Sequence, residues 1–190
     1  MATADKSFKR PHIVLGVTGS IAAYKAAELV RLMRKQNCDV SVVMTTCAAE
    51  FVTPLTFQTL SQNEVGMGLF DEKQRRNPEH IAYADRADVL VIAPCTANVI
   101  AKLALGLADD LLSCTALATR APIVVAPAMN DNMWAHPATR ANVALLQSRG
   151  VTFVDVGHGD LACGREGQGR LADLPEIMKT VGTILKKRGF

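Results

Sequence analysis

The sequence predicts an α/β fold: a three-layer sandwich with a doubly wound parallel sheet, of the flavodoxin/Rossmann-like type. Three observations lead to this prediction. Five short runs are apolar at nearly every position, which is typical of parallel strands covered on both faces. Helix-like stretches lie between these runs, so the connections are expected to be right-handed crossovers. The most informative polar segments follow strand ends, where ligands bind to such sheets.

The elements follow in chain order. Strands rich in Val and Ile are predicted at 12–17, 40–45, 89–94, 123–128 and 151–156. Helices are predicted at 20–36, as a pair within 97–119, at 138–150 and at 174–188.

Length and composition favour one domain. With 190 residues, of which 49% are apolar and 21% charged, the chain can bury a sizeable core. We expect a flexible N-terminus over 1–10 and a single domain over 11–190. The net charge of +3 comes from dispersed residues, which argues against nucleic-acid or membrane partners. No apolar stretch approaches the roughly 18 residues of a membrane span, and no signal peptide is evident, so we expect a soluble, cytoplasmic protein.

The cysteines indicate neither disulfides nor a metal site. There are five of them, an odd number, and none forms a C-x-x-C pair. We therefore expect reduced thiols and no bound metal.

The segment "GVTGSIAAYK" (16–25) passes from strand to helix through Gly19 and Ser20, a pattern that suits an anion at a helix N-terminus. The spacing is not G-x-G-x-x-G, and the second strand runs into Thr45 and Thr46 without the carboxylate of a dinucleotide site. A mononucleotide phosphate is the functional interpretation, and a tight turn with a serine cap is the alternative.

Three further segments carry candidate groups. "PAMNDNMW" (127–134) is almost uncharged and contains the only tryptophan; it is either a ligand site or a buried Met/Trp turn. His80 is placed near a helix start. The segment 157–170 holds five glycines together with Cys163. Its arginines favour a reactive thiol, although an ordered surface turn is the alternative.

These residues resemble one family, the flavin-containing cysteine decarboxylases, over about residues 11–180. "PAMNDNMW" matches the family's P-x-M-N-x-x-M-W substrate motif at each specified position. "PCTAN" matches the P-A-S-A-N-T flavin motif less fully, "GSIAAYK" is similar to the phosphate turn, and His80 falls at the position of the active-site histidine. Cys163 favours the coenzyme A branch over the branch that decarboxylates lantibiotic peptides.

The resemblance implies a reaction. FMN would oxidise the cysteinyl group of 4'-phospho-N-pantothenoylcysteine to a thioaldehyde, carbon dioxide would leave to give an ene-thiolate, and reduction would give 4'-phosphopantetheine. His80 would assist thiol deprotonation or hydride transfer, Asn130 would orient the carboxylate and amide, and Cys163 would donate a proton.

The resemblance also implies two sets of binding residues. Those expected at FMN are Gly19, Ser20, Ile21, Thr45, Thr46, Phe51, Pro94, Thr96, Ala97 and Asn98. Those expected at the substrate are Asn130, Met129, Met133 and Trp134, with Lys25, Arg165 and Arg170 as candidates for its phosphate. Asp85 stands at the family's usual arginine position, so that contact does not carry over.

The resemblance leaves alternatives and partners open. A flavin prenyltransferase, a peptidyl-cysteine decarboxylase and a regulatory flavoprotein subunit are the rival functions. The family forms trimers, sometimes assembled into dodecamers, and its members work with a separate or fused phosphopantothenoylcysteine synthetase. We therefore expect a homo-oligomer that binds a phosphorylated small molecule.

Overall fold

The computed structural model describes residues 10–69, 79–160, 164 and 166–190. The strands are β1 (His12–Val17), β2 (Asp39–Met44), β3 (Val65–Gly66), β4 (Val89–Cys95), β5 (Ile123–Pro127), β6 (Thr152–Phe153), β7 (Gly157–Asp160) and β8 (Glu166–Arg170). The helices are α1 (Ala23–Lys35), α2 (Thr46–Ala49), α3 (Pro54–Ser61), α4 (Glu79–Arg86), α5 (Ala97–Leu105), α6 (Leu111–Ala118), α7 (Asp131–Ala135), α8 (Pro137–Ser148) and α9 (Leu174–Lys187). Among the described helices, none combines the length and apolar character needed to cross a bilayer.

The main sheet has six strands in the order β3-β2-β1-β4-β5-β6, and every pairing in it is parallel. This order is that of the Rossmann fold. The chain builds outward from β1 to β3, then returns to the middle and builds outward again from β4 to β6. The direction therefore reverses between β1 and β4, and a crevice opens there at the carboxyl ends of the strands. The predicted doubly wound fold is confirmed.

The core has two parts, one on each face of the sheet. Successive side chains of a strand point to opposite faces. Ile13 and Leu15 accordingly pack with α1, α3 and α9, whereas Val14 packs with α5, α6 and α8. Both faces are buried, which is why the predicted strands are continuously apolar.

The structure differs from the predicted elements in several places. The run at 151–156 contributes only the two residues of β6. β3, α2 and α3 follow β2 and were not predicted, and the glycine-rich segment forms a separate antiparallel hairpin of β7 and β8. A short helix, α7, begins inside the "PAMNDNMW" motif. The expected flexible N-terminus lies outside the described residues except for Arg10.

A polar network holds β1 and β2 together at the amino edge of the sheet. His12 Nδ1 lies 3.0 Å from Asp39 Oδ2, and His12 Nε2 lies 3.0 Å from the hydroxyl of Ser41, which is buried. Burial lowers the pKa of His12, and Arg86 acts in the same direction, so that together they outweigh Asp39. Both ring nitrogens are satisfied when the neutral imidazole donates to Asp39 and accepts from Ser41.

Asp39 belongs to the same network. Burial alone would raise the pKa of its carboxyl, but hydrogen bonds from Asn63 and His12 hold that pKa below its ordinary value. The Asn63 amide donates to Asp39 Oδ1 (3.0 Å) and to the carbonyl of Val40 (2.9 Å). The chain after α3 is thereby fixed to the start of β2.

Candidate functional site

A cavity of about 450 Å³ lies at the carboxyl edge of the sheet, where the strand order reverses. Its walls come from the β1–α1 turn, the end of β4, the β5–α7 segment and the hairpin. The lining residues are Gly19, Ser20, Ile21, Ala22, Tyr24, Lys25, Thr96, Ala128, Met129, Asn130, Met133, Asp160, Gly169, Arg170 and Leu171. Segments far apart in sequence meet here because parallel strands all end at one edge.

The floor of this cavity is fixed by a buried threonine. The hydroxyl of Thr18 donates to the carbonyl of Pro94 (2.8 Å) and accepts from the N–H of Thr96 (3.0 Å). These two bonds join the ends of β1 and β4 across the point of reversal. Thr96 then begins α5, since its hydroxyl accepts from the N–H of Val99.

The β1–α1 turn requires glycine at its second position. A Cβ on Gly19 would collide with the Cβ of Cys47 and lie 3.0 Å from its carbonyl carbon. The turn therefore packs directly on α2, which Thr45 caps by accepting from the N–H of Ala48 (3.3 Å). Ser20 accepts from the N–H of Ala22 (3.3 Å), which places its hydroxyl at the start of α1.

Asn130 is the N-cap residue of α7. Its Oδ1 accepts the N–H of Asn132 at 2.9 Å, and its backbone is extended, with φ −62° and ψ 151°. This bond engages the amide oxygen as an acceptor, and the NH₂ group is the donor end of the side chain. The apolar side chains of Met129 and Met133 line the same wall.

The hairpin is joined to this wall through two glycines. The N–H of Met129 donates to the carbonyl of Gly169 at 2.9 Å. Gly169 has φ +137°, and a Cβ there would collide with the carbonyl oxygen of Met129. A Cβ on Gly167 would lie 3.0 Å from the Cβ of Asp131. Side chains at either position would push the hairpin away from Asn130, so glycine is what allows this close approach.

A model of the flavoprotein family matches residues 1–186, nearly the whole chain. The chain belongs to the flavoprotein family.

Curated relatives agree with this assignment. The chain is 46% identical over 177 residues to the coenzyme A biosynthesis bifunctional protein CoaBC of Haemophilus influenzae, covering 93% of this chain and 44% of that protein. It is also 46% identical over 168 residues to the CoaBC of Bacillus subtilis, covering 88% and 41% of the two proteins. The chain thus spans less than half the length of these relatives.

Solved structures share the fold. A PPC decarboxylase mutant complexed with pantothenoylaminoethenethiol has a TM-score of 0.84 and 33% identity, over 94% of this chain and all of that one. The FMN binding protein AtHal3 has a TM-score of 0.81 and 32% identity, over 96% of this chain and all of that one.

The cavity brings together many of the residues predicted from sequence in this flavoprotein-family chain. Those that line it are Gly19, Ser20, Ile21, Lys25, Thr96, Met129, Asn130, Met133 and Arg170. Thr45 lies next to the Gly19 turn through α2, and Ala97 and Asn98 begin α5 behind Thr96. Cys163 and Arg165 lie outside the described residues.

Other predicted residues lie away from the cavity walls. Pro94 is buried beneath the floor, whereas Thr46 and Phe51 are exposed on and after α2. Trp134 packs against the core on the α5/α8 face, and the Arg140 guanidinium lies 5.1 Å from its ring centroid. The tryptophan thus supports the motif from behind.

His80 occupies the first turn of α4, which packs on α6. It does not line this cavity. Its Nδ1 is buried and has no hydrogen-bond partner within the described parts of the chain. A buried ring nitrogen without a partner is costly, so this position invites a ligand or a neighbouring molecule.

Sequence reasoning missed two polar residues of the cavity, Tyr24 and Asp160. Tyr24 lies one helical turn after Ser20 and Ile21, so helical spacing from the turn could have revealed it. Asp160 ends β7, and no feature of the glycine-rich segment distinguishes it from a surface carboxylate. Cys95 is fully buried, which raises the pKa of its thiol and makes it an inert core residue.

Proposed function

We propose that this chain catalyses the FMN-dependent decarboxylation of 4'-phospho-N-pantothenoylcysteine to 4'-phosphopantetheine. The observation that carries the proposal is the position of Asn130: its amide caps α7 and lines, with Met129 and Met133, the same cavity as the glycine turn. The names of the CoaBC relatives and of the PPC decarboxylase structure support the same reaction.

The residues present fit FMN. The Gly19–Ser20 turn packs on α2 and leads into α1 at Ala23, so the Ser20 hydroxyl and the start of this helix would meet the phosphate of a bound FMN. Thr96 adds a second hydroxyl at the start of α5. When bound, FMN accepts and later returns the two electrons that make carbon dioxide loss possible.

The protein residues would hold the substrate for this chemistry. The Asn130 NH₂ donates to the substrate carboxylate and adds no charge that would repel it. Met129 and Met133 keep water from the carboxylate. The amide then orients the C–C bond that breaks when carbon dioxide leaves. The fixed hairpin closes the same wall through the Met129–Gly169 bond.

His80 and Cys163 complete the proposal. We assign thiol deprotonation or hydride-transfer assistance to His80, and because this residue lies off the cavity of its own chain, we propose that a second copy presents it in a homotrimer or dodecamer. Cys163 donates the proton to the ene-thiolate. Mixing a His80→Asn chain with an Asn130→Asp chain should restore activity if sites are shared, and independent sites would give no gain.

We further propose a phosphopantothenoylcysteine synthetase as the functional partner, fused or separate, as in the bifunctional relatives. The four cysteines that the structure describes are free thiols, which supports a reducing, cytoplasmic location.

The decisive experiment incubates the purified protein with 4'-phospho-N-pantothenoylcysteine and follows carbon dioxide and 4'-phosphopantetheine together. Denatured protein should release FMN in about equimolar amount. A protein without flavin that cannot take it up would contradict the cofactor assignment. Consumption of an isoprenyl phosphate without carbon dioxide release would favour a flavin prenyltransferase, and turnover of C-terminal cysteine peptides alone would favour a peptidyl-cysteine decarboxylase.

A further inference from the structure

Two cationic side chains line the described cavity, and they lie on different walls. Lys25 is on α1, one turn after Gly19 and Ser20. Arg170 ends β8 and stands beside the Asn130 wall. The sequence left open which of Lys25, Arg165 and Arg170 meets the substrate phosphate; Arg165 lies outside the described residues, and the other two differ in position.

The backbone of Arg170 is fixed relative to Asn130. Asn130 follows Met129, Arg170 follows Gly169, and Met129 and Gly169 are joined by the 2.9 Å hydrogen bond. The backbone segments that carry the amide and the guanidinium are therefore joined in the cavity wall. Any shift of the hairpin would move both groups relative to a bound ligand.

Arg170 lines the cavity where it is open to solvent, here called the rim. Its Nη1 is 3.3 Å from the point where a Cβ of Gly159 would stand, so the side chain crosses the bare backbone of β7. Its Nη2 lies 3.8 Å from Asp173 Oδ1, and the side chain is 43% exposed. The guanidinium is therefore reachable from solvent.

We propose that Arg170 is the specificity-determining residue that binds the substrate phosphate. This inference rests on the proposed function, in which Asn130 binds the carboxylate. The phosphate is at the opposite end of the substrate from the carboxylate, so it reaches the rim when the carboxylate meets Asn130. A guanidinium suits this task because its planar fork binds two phosphate oxygens at once.

The other charges near the cavity support this choice. Asp160 also lines the cavity, so the described lining carries charges of both signs and recognition would depend on directed hydrogen bonds. Lys25 lies in the first turn of α1, next to the turn assigned to FMN, where its charge would stabilise a bound cofactor phosphate. Of the two cations in the described lining, Arg170 is therefore the one that we assign to the substrate.

The test compares two substrates that differ only in the phosphate, 4'-phospho-N-pantothenoylcysteine and N-pantothenoylcysteine. For Arg170→Gln we expect kcat/KM to fall about 10- to 100-fold with the phosphorylated substrate and by no more than about twofold with the other, since one charge-assisted contact at an exposed rim is lost. The loss should lie mainly in KM. With the phosphorylated substrate, kcat/KM of Arg170→Lys should lie between those of the wild type and Arg170→Gln. The wild-type preference for the phosphorylated substrate should weaken with added salt.

Arg31→Gln is the matched control. Arg31 is an exposed α1 residue paired with Glu28 at 2.9 Å, outside the cavity, so this variant loses the same charge without losing the contact. It should keep the wild-type preference for the phosphorylated substrate. Lys25→Gln should weaken FMN retention and leave the ratio between the two substrates unchanged.

The outcomes separate the two proposals. A wild-type protein that decarboxylates neither substrate overturns the proposed function. A wild-type protein that is active, together with an Arg170→Gln variant that loses equally on both substrates, overturns only the phosphate assignment and places Arg170 at a group common to both. The phosphate assignment is also overturned if Lys25→Gln, and not Arg170→Gln, loses the preference for the phosphorylated substrate.

Discussion

Asn130→Asp tests the amide at the cavity wall without disturbing the fold. Asn130 caps α7 through an oxygen that accepts the N–H of Asn132 at 2.9 Å, and aspartate caps helices about equally well. The change therefore keeps the cap, removes the NH₂ donor and adds a negative charge. In contrast, Asn130→Ala would lose the cap, at a cost of about 1 kcal/mol or roughly 2–4 °C in Tm.

The expected effect on catalysis is large. Losing a hydrogen bond to a carboxylate costs about 2 kcal/mol, and two carboxylates about 4 Å apart at an effective dielectric constant near 20 add up to about 4 kcal/mol. Since each 1.4 kcal/mol is tenfold, kcat/KM should fall by roughly 30-fold to 10⁴-fold. Asn130→Ser, which also caps, should show only the smaller part of this loss.

The assay measures carbon dioxide release, flavin absorbance and Tm for each variant. Asn132→Asp is the matched control, because it introduces the same charge on an exposed neighbour in the same helix. It should stay within about threefold of wild type, since an exposed charge is largely screened. If Asn130→Asp retained wild-type kcat/KM with its flavin bound, the role assigned to the amide would be wrong.

Three further results are expected. Gly169→Ala should destabilise the protein by about 1–3 kcal/mol, because alanine is strained at the positive φ of this residue and its Cβ would collide with the Met129 carbonyl. Gly182→Ala in α9, where nothing lies within 4 Å of the added Cβ, should stabilise the protein by about 1 kcal/mol. Equal Tm shifts for the two variants would contradict this. The pKa of His12 is lowered on folding, so the unfolded chain binds the proton first and the free energy of unfolding should fall as pH drops below 6.5. The lowered pKa of Asp39 should cause a further loss of stability below pH 3.8. If a His12→Gln variant showed the same change of stability between pH 7 and 5 as the wild type, the role of His12 would be refuted. Cys163→Ser should still release carbon dioxide but accumulate the oxidised ene-thiol, which mass spectrometry would detect, and a fully reduced product would remove its proton-donor role.

The fold was largely predictable because its strands are buried on both faces. Four of the five predicted strands match β1, β2, β4 and β5 to within one residue at each end. β7 and β8 could not be recognised in this way, because four of their nine residues are glycine and no apolar alternation marks them. Their pairing depends on the backbone and on contacts with a segment some forty residues earlier in the chain.

The candidate site was predicted in composition but not in arrangement. The glycine turn, Thr96 and Asn130 follow three different strands, and parallel topology is enough to bring them together. Sequence could not reveal that Trp134 faces the core, since a motif match does not give the direction of a helix face. It also could not place His80, whose distance from the cavity depends on the packing of α4 against α6.

The polar network and the candidate site lie at opposite ends of the central strands. β1 has six residues, so the polar network at His12 stands about 20 Å from the turn at Gly19. Groups that far apart, without shared partners, usually contribute additively to the free energy of unfolding. An engineer could therefore raise heat or acid tolerance at His12, Asp39 and Ser41 and expect the kinetic constants to remain as they were.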